Sequence, residues 1–319
     1  MTTRTPITHA SRIFIAGHRG LVGSSLWRHL AAEGFYHLIG RTSKELDLRD
    51  ARATAAFLAE TRPEVVINAA AVVGGISANA SRPADFFSDN LRIQVNLLDG
   101  AVANGVERFL FLGSSCIYPK FAAQPIREDS LLTGHLEQTN EGFAMAKLAG
   151  IGHVTAIRRQ YELPYISALP TNLYGPGDNF SRTDSHVLPA MIRRFHEAVL
   201  GGASQVTCWG TGRPRREFLY VDDLANACRF LIDNYDDDRP INVGFGTDVS
   251  IAELAEMIAH VVGYRGEIHW DASKPDGTYQ KLLDVSRLNG LGWRAKTELL
   301  DGVHSTYEWF RQQDGDYRR

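Results

Sequence analysis

At 319 residues, 44% hydrophobic and 22% charged, the chain is long enough for a large core with a smaller second lobe, and too apolar for a disordered polymer. A formal net charge of -3 argues against nucleic-acid and anionic-membrane surfaces and leaves a small molecule as the expected partner. Three cysteines without CxxC spacing, Cys116, Cys208 and Cys228, suggest neither a disulfide framework nor a metal site, a usage that fits a reducing cytoplasm.

Residues 1–11 are polar and lack the apolar stretch of a signal peptide, and the first ten are expected to form a loose tail. Strand-like runs at 12–16, 36–40, 65–69, 109–113 and 165–169 alternate with helical patterns. That order implies an α/β fold, a Rossmann-type doubly wound parallel sheet with helices on both faces. The most apolar run, 65–76, is too short to cross a bilayer. In such sheets ligands bind at the carboxyl ends of the strands, where the first glycine turn, Ser114-Ser115-Cys116 and Pro170-Thr171-Asn172 all fall. After Tyr174-Gly175-Pro176-Gly177 the alternation breaks. Residues 12–174 are therefore expected to bind the cofactor, and 175–319 mainly to form a smaller, discontinuous α/β substrate lobe. A segment near 216–244 should return to the large lobe, because Glu217 to Asp223 reads as a strand followed by a helix start.

The first strand runs directly into Gly17-His18-Arg19-Gly20-Leu21-Val22-Gly23 and then an amphipathic helix. The glycines permit a tight turn and close backbone approach to a pyrophosphate, and the helix N-terminus attracts its charge. An acidic residue that would hold a ribose 2′-hydroxyl is missing after the second strand, where Gly40-Arg41-Thr42-Ser43 stands instead. Arg41 with Arg19 suits a 2′-phosphate through charge-assisted hydrogen bonds, so NADP(H) is the expected cofactor. A solvated surface arginine is the alternative for Arg41.

Farther along, Phe111-Leu112-Gly113-Ser114-Ser115-Cys116-Ile117-Tyr118-Pro119, Ala144-Met145-Ala146-Lys147 and Leu169-Pro170-Thr171-Asn172-Leu173-Tyr174-Gly175-Pro176 resemble the reacting segments of extended short-chain dehydrogenases that act on nucleotide sugars. Asp178-Asn179-Phe180, Ser185-His186-Val187-Leu188-Pro189-Ala190 and Arg193-Arg194-Phe195-His196 narrow the resemblance, over about residues 12–312, to the GDP-L-fucose synthase family. The resemblance implies a GDP-sugar substrate, GDP-4-keto-6-deoxy-D-mannose, with inversion at C3 and C5 and reduction of C4 by NADPH. It carries acid and base roles to Cys116 and His186, whose ordinary pKa values of about 8.5 and 6.5 suit proton exchange near neutrality. It also implies that Ser114 bonds the C4 oxygen and Lys147 holds the nicotinamide ribose. Cofactor contacts are implied for Asp47, Leu48, Ala69, Ala70, Pro170, Asn172, Leu173 and His186, and substrate contacts for Ser115, Arg194, Trp209, Arg216 and Lys281. A homodimer is implied through helices near 90–104 and 140–161.

One position departs from the pattern. Four residues before Lys147, where the family has a catalytic tyrosine, stands Phe143. Residues i and i+4 are neighbours on a helix face, so the missing phenol would have sat beside the lysine. Reduction is expected to be impaired and binding retained. A replaced tyrosine and a natural divergence are both open, as are a related nucleotide-sugar reductase or epimerase and a non-catalytic NADP- and sugar-binding protein.

Overall fold

Segments such as Ile-Phe-Ile-Ala at 13–16 and Val-Val-Ile-Asn at 65–68 are apolar at almost every position, which suits a strand covered on both faces. The computed structural model describes residues 6–313 apart from 183 and 275, so residues 1–5 of the expected tail and the last residues, 314–319, lie outside it. The first half runs β1 (Ile13–Ala16), α1 (Leu21–Ala32), β2 (Leu38–Ile39), α2 (Ala51–Thr61), β3 (Val65–Asn68), α3 (Ile76–Ser81), α4 (Pro83–Ala103), β4 (Arg108–Leu112), α5 (Glu141–Tyr161) and β5 (Ile166–Pro170). It continues through β6 (Asn172–Tyr174), α6 (Val187–Leu200), β7 (Gln205–Trp209), β8 (Arg215–Arg216), β9 (Phe218–Tyr220), α7 (Val221–Asn234) and β10 (Ile241–Val243). The last elements are β11 (Val249–Ser250), α8 (Ile251–Val262), β12 (Glu267–Asp271), β13 (Gln280–Lys281), α9 (Ser286–Gly290) and α10 (Leu299–Arg311).

Six strands form one parallel sheet in the order β10-β5-β4-β3-β1-β2. The chain leaves β1 outward to β2 and then returns to β3 on the other side, which opens a crevice at the carboxyl ends of β1 and β3. Alternate residues face opposite ways along each strand. Phe14, Val66, Phe109 and Phe111 thus pack under Leu97 and Leu98 of α4 and Val154 of α5. On the other face Ile15, Ile67 and Leu110 meet Leu26 and Leu30 of α1 and Leu224 and Leu231 of α7. A third cluster joins Ile192 and Phe195 of α6 to Leu254 and Ile258 of α8, Phe310 of α10 and Val206 of β7. Through β9, α7 and β10 the chain comes back to the large sheet, with β10 paired to β5.

Strand bounds differ slightly from those read in the sequence. The second strand shrinks from 36–40 to Leu38–Ile39, because the Tyr36 side chain is exposed and its N–H is taken by the His9 carbonyl rather than by the sheet. Helix starts follow local chemistry. The Asp50 carboxylate caps α2 by accepting from Ala53 N–H, Pro83 opens α4, and Ser250 with Glu253 forms a capping box on α8. Among the described residues no helix is long and apolar enough to cross a membrane, and no cluster of three or more His, Cys, Asp or Glu side chains is arranged to hold a metal.

Candidate active site

Gly17 ends β1 with φ +79°, a left-handed conformation that strains any side chain, and a Cβ there would lie 2.8 Å from the Ala70 backbone. The first turn therefore abuts Ala69 and Ala70 at the end of β3, making a narrow backbone crevice. Gly20 N–H bonds the Gly17 carbonyl at 2.8 Å, and Leu21 and Val22 open α1 with Gly23 buried in it. A thin dinucleotide fits such a crevice. Beside it, Arg19 and Arg41 are both exposed, and both lie close enough to His18 and Glu45 for their charges to be felt there. Arg41 stacks 5.5 Å from the Phe57 ring centre. The Glu45 carboxyl is held low, first by the Thr42 N–H and hydroxyl and then by these two arginines. Two guanidiniums thus converge at the end of β2, as a 2′-phosphate requires.

The other expected cofactor residues occupy the same edge of the sheet. Asp47 has its carboxylate committed to the Arg49 guanidinium, while Leu48 packs on the sheet core and its carbonyl accepts from Asn96 Nδ2. Pro170 ends β5; Asn172 and Leu173 lie in β6, which pairs in parallel with β9.

At the end of β4 the chain turns through a short 3-10 helix, Ser115–Ile117. Ser114 caps it by accepting the Cys116 N–H at 3.2 Å, which leaves the Ser114 hydroxyl proton free to donate. Ser115 and Ile117 are buried, whereas Cys116 is partly exposed. Helix α5 packs here and carries Phe143 and Lys147. Lys147 Nζ is buried, donates to the Leu112 carbonyl at 2.8 Å, and stands 4.9 Å from the Phe111 ring centre and 5.9 Å from that of Phe143. Burial pushes its ammonium down to about 8. The phenylalanine ring is therefore presented to the lysine as a tyrosine would be, minus the oxygen.

His186 is the residue immediately before α6; its side chain keeps exposed surface, but protein atoms crowding the ring disfavour the charged form and hold the imidazole below the ordinary range. On the same helix Arg194 donates to the Thr207 carbonyl at 2.7 Å, two residues before Trp209 on β7. Trp209 is 67% exposed, an unusual state for so large an apolar ring, and Lys274 Nζ lies 5.7 Å from its centre. Arg216 of β8 is in register with Lys281 of β13. Burial lowers the Arg216 guanidinium, against opposing pulls from Cys116 and Asp276, so this one side chain links the reacting turn to the smaller lobe.

Two residues at this site escaped the sequence reading. Asp276 accepts from Thr211 N–H at 2.8 Å and Thr211 hydroxyl at 2.7 Å, which fixes the turn after Trp209 next to Arg216. Its only sequence signal was an Asp-Gly turn pair. Glu217, adjacent to Arg216, is wholly buried, and a lone Glu inside a strand pattern gave no warning of that.

Comparison with known proteins shows the family. The model of the NAD dependent epimerase/dehydratase family matches residues 13–244. GDP-L-fucose synthase 1 of Arabidopsis thaliana is 54% identical over 301 residues, covering 94% of this chain and 93% of that protein. GDP-L-fucose synthase of Escherichia coli K12 is 51% identical over 316 residues, covering 96% and 98%. A crystal structure of a GDP-L-fucose synthetase from Naegleria fowleri bound to NADP superposes with a TM-score of 0.92 at 27% identity, covering 100% of this chain and 99% of that one. The chain belongs to the NAD dependent epimerase/dehydratase family and, within it, to the GDP-L-fucose synthases.

Proposed function

We propose that the chain converts GDP-4-keto-6-deoxy-D-mannose to GDP-L-fucose with NADPH, and that Phe143 leaves the reduction step impaired. The observation that carries this reading is the meeting of Ser114, Cys116 and Lys147 with the Gly17–Ala70 crevice along one carboxyl edge of a parallel sheet. When bound, NADPH supplies the hydride to C4. Arg19 and Arg41 hold its 2′-phosphate, and Lys147, with Asn172 and Leu173, holds the nicotinamide end. Arg194, Trp209, Arg216 and Lys281 hold the GDP-sugar.

Inversion at C3 and at C5 needs a base on one face of the sugar and an acid on the other. Desolvation by the surrounding protein holds the His186 imidazole below its ordinary range, which favours the neutral form that accepts a carbon-bound proton. Cys116 returns one from the opposite face, and the Ser114 hydroxyl donates to the C4 oxygen, where enolate charge collects. At reduction the C4 alkoxide meets a phenyl ring in place of a phenol. Loss of a positioned acid costs roughly 10² to 10⁴ in rate. Solvent deuterium uptake tests the scheme. Incorporation at C3 and C5 of the keto-sugar is expected with little NADPH oxidation. No incorporation by the native chain, or full incorporation after both Cys116→Ala and His186→Ala, would refute it.

We further propose a homodimer paired through α4 and α5. An open, mainly apolar groove of about 660 Å³ lies along α5, lined by Leu131, Leu148, Ile151 and Ala156, and Val95 of α4 is exposed. Light scattering should give about twice 35.4 kDa; a monomer at micromolar concentration would count against it. Three unpaired thiols support placing the enzyme in the reducing cytoplasm.

A further inference from the structure

Glu217 has none of its side chain exposed, and no ion pair reaches it among the described residues. A buried carboxylate without a cation is costly, and its lone pairs must be met by donors. Here they are met by main chain. Oε1 accepts Gly246 N–H at 2.7 Å and Oε2 accepts Leu283 N–H at 3.0 Å. The space around it is closed, since a Cβ on Gly244 would overlap Oε1.

The main chain of the same residue reaches the two ligand sides of the fold. Its carbonyl accepts Asn172 Nδ2 at 2.8 Å and the Thr171 hydroxyl at 3.4 Å, on the segment that follows β5 at the cofactor edge. Its N–H bonds the Lys281 carbonyl at 3.3 Å, and the preceding residue is Arg216, whose guanidinium is within electrostatic reach of both Cys116 and Asp276. Any movement of the β8–β13 pair that draws Arg216 and Lys281 toward a diphosphate must therefore pull on Asn172 through the backbone of one residue, whose N–H faces Lys281 and whose carbonyl faces Asn172. A carboxylate locked at both oxygens anchors the Cα between those two peptide groups and keeps them from turning independently.

Resting on the reading of an NADP site and a GDP-sugar site given above, we propose that Glu217 is a positioning residue that couples them, so that filling one changes affinity for the other. Coupling of this kind is reciprocal and commonly 5- to 150-fold, so it can be measured from either ligand. Calorimetry on the full chain would give the dissociation constant of GDP with and without saturating NADP+. We expect at least about a fivefold difference for the native chain, shrinking toward onefold in Glu217→Gln, which sets an amide NH2 against a main-chain N–H. A residue that only holds the fold together would lower Tm and weaken both ligands while leaving their ratio unchanged. If the Gln variant does not fold, Glu217→Asp, which keeps the charge but shortens the reach, carries the same measurement. An unchanged ratio in the folded variant, or no coupling in the native chain, would overturn the inference. Failure of GDP or NADP+ to bind the native chain at all would overturn the reading of the site itself, and the inference with it.

Discussion

Phe143→Tyr restores one oxygen and should restore the reductase. The ring centre of Phe143 lies 5.9 Å from Lys147 Nζ, so a phenolic oxygen on that ring can come within about 4 Å of the ammonium. At about 4 Å and an effective dielectric near 20 the attraction between phenolate and ammonium is roughly 4 kcal/mol, or about three pKa units. That draws the phenol from about 10 in water to about 7, where it is an effective proton donor to a nascent alkoxide. The attraction holds while Lys147 is protonated, below about pH 8. Following NADPH absorbance with the keto-sugar should reveal a rise in C4 reduction of about 10² to 10⁴, and a rate that falls as pH climbs through the new phenol's pKa. The native chain should lack that descending limb. An unchanged rate of NADPH oxidation, or a faster rate with no new pH dependence, would refute the argument.

Three other perturbations test separate parts of the site. Arg41→Ala removes one guanidinium from the proposed 2′-phosphate contact, and should weaken NADP+ by about 10- to 100-fold in calorimetry while leaving NAD+ within about twofold; equal losses for both would mean Arg41 is merely solvated. Gly17→Ala forces a side chain into φ +79° and against the Ala70 backbone, so it should cost at least about 1–3 kcal/mol in urea unfolding and abolish NADP+ binding; native affinity would refute the crevice. For Lys147→Met the sign follows from burial, which lowers the folded pKa to about 8 from 10.5. Below about pH 8 the lysine is charged in both states and the folded one bears the desolvation, up to about 3 kcal/mol; between 8 and 10.5 the unfolded chain binds more protons, so native stability recovers. The Met variant should melt above the native chain at pH 7, with the gap closing toward pH 10. A gap independent of pH would refute it.

The sheet was legible because its strands are apolar on both faces and are separated by helical periods, and the glycine turn because a left-handed φ such as that of Gly17 strongly favours Gly. The reacting segments were legible through resemblance. Lysine, phenylalanine and serine types are too common to signal chemistry singly, and it is the fold that sets Lys147 on the Leu112 carbonyl and Ser114 on the Cys116 N–H. Bonds across long sequence separations stayed hidden. Arg216 lies 100 positions from Cys116 and Glu217 lies 66 from Leu283, and no local pattern encodes such pairs. The true length of β2 also escaped, because a two-residue strand owes its extent to neighbours rather than to its own propensity.

The distribution of the three thiols has a practical result. Cys208 and Cys228 have no exposed surface, and burial pushes both thiols upward, Cys228 to about 12. An alkylating reagent arriving from solvent therefore finds a single nucleophilic sulfur, on Cys116, at the mouth of the reacting turn. One unmodified polypeptide thus comes with a built-in chemical reporter: the pace at which it takes up a single label, and the slowing of that pace by added nucleotide sugar, reads out occupancy without any engineered tag.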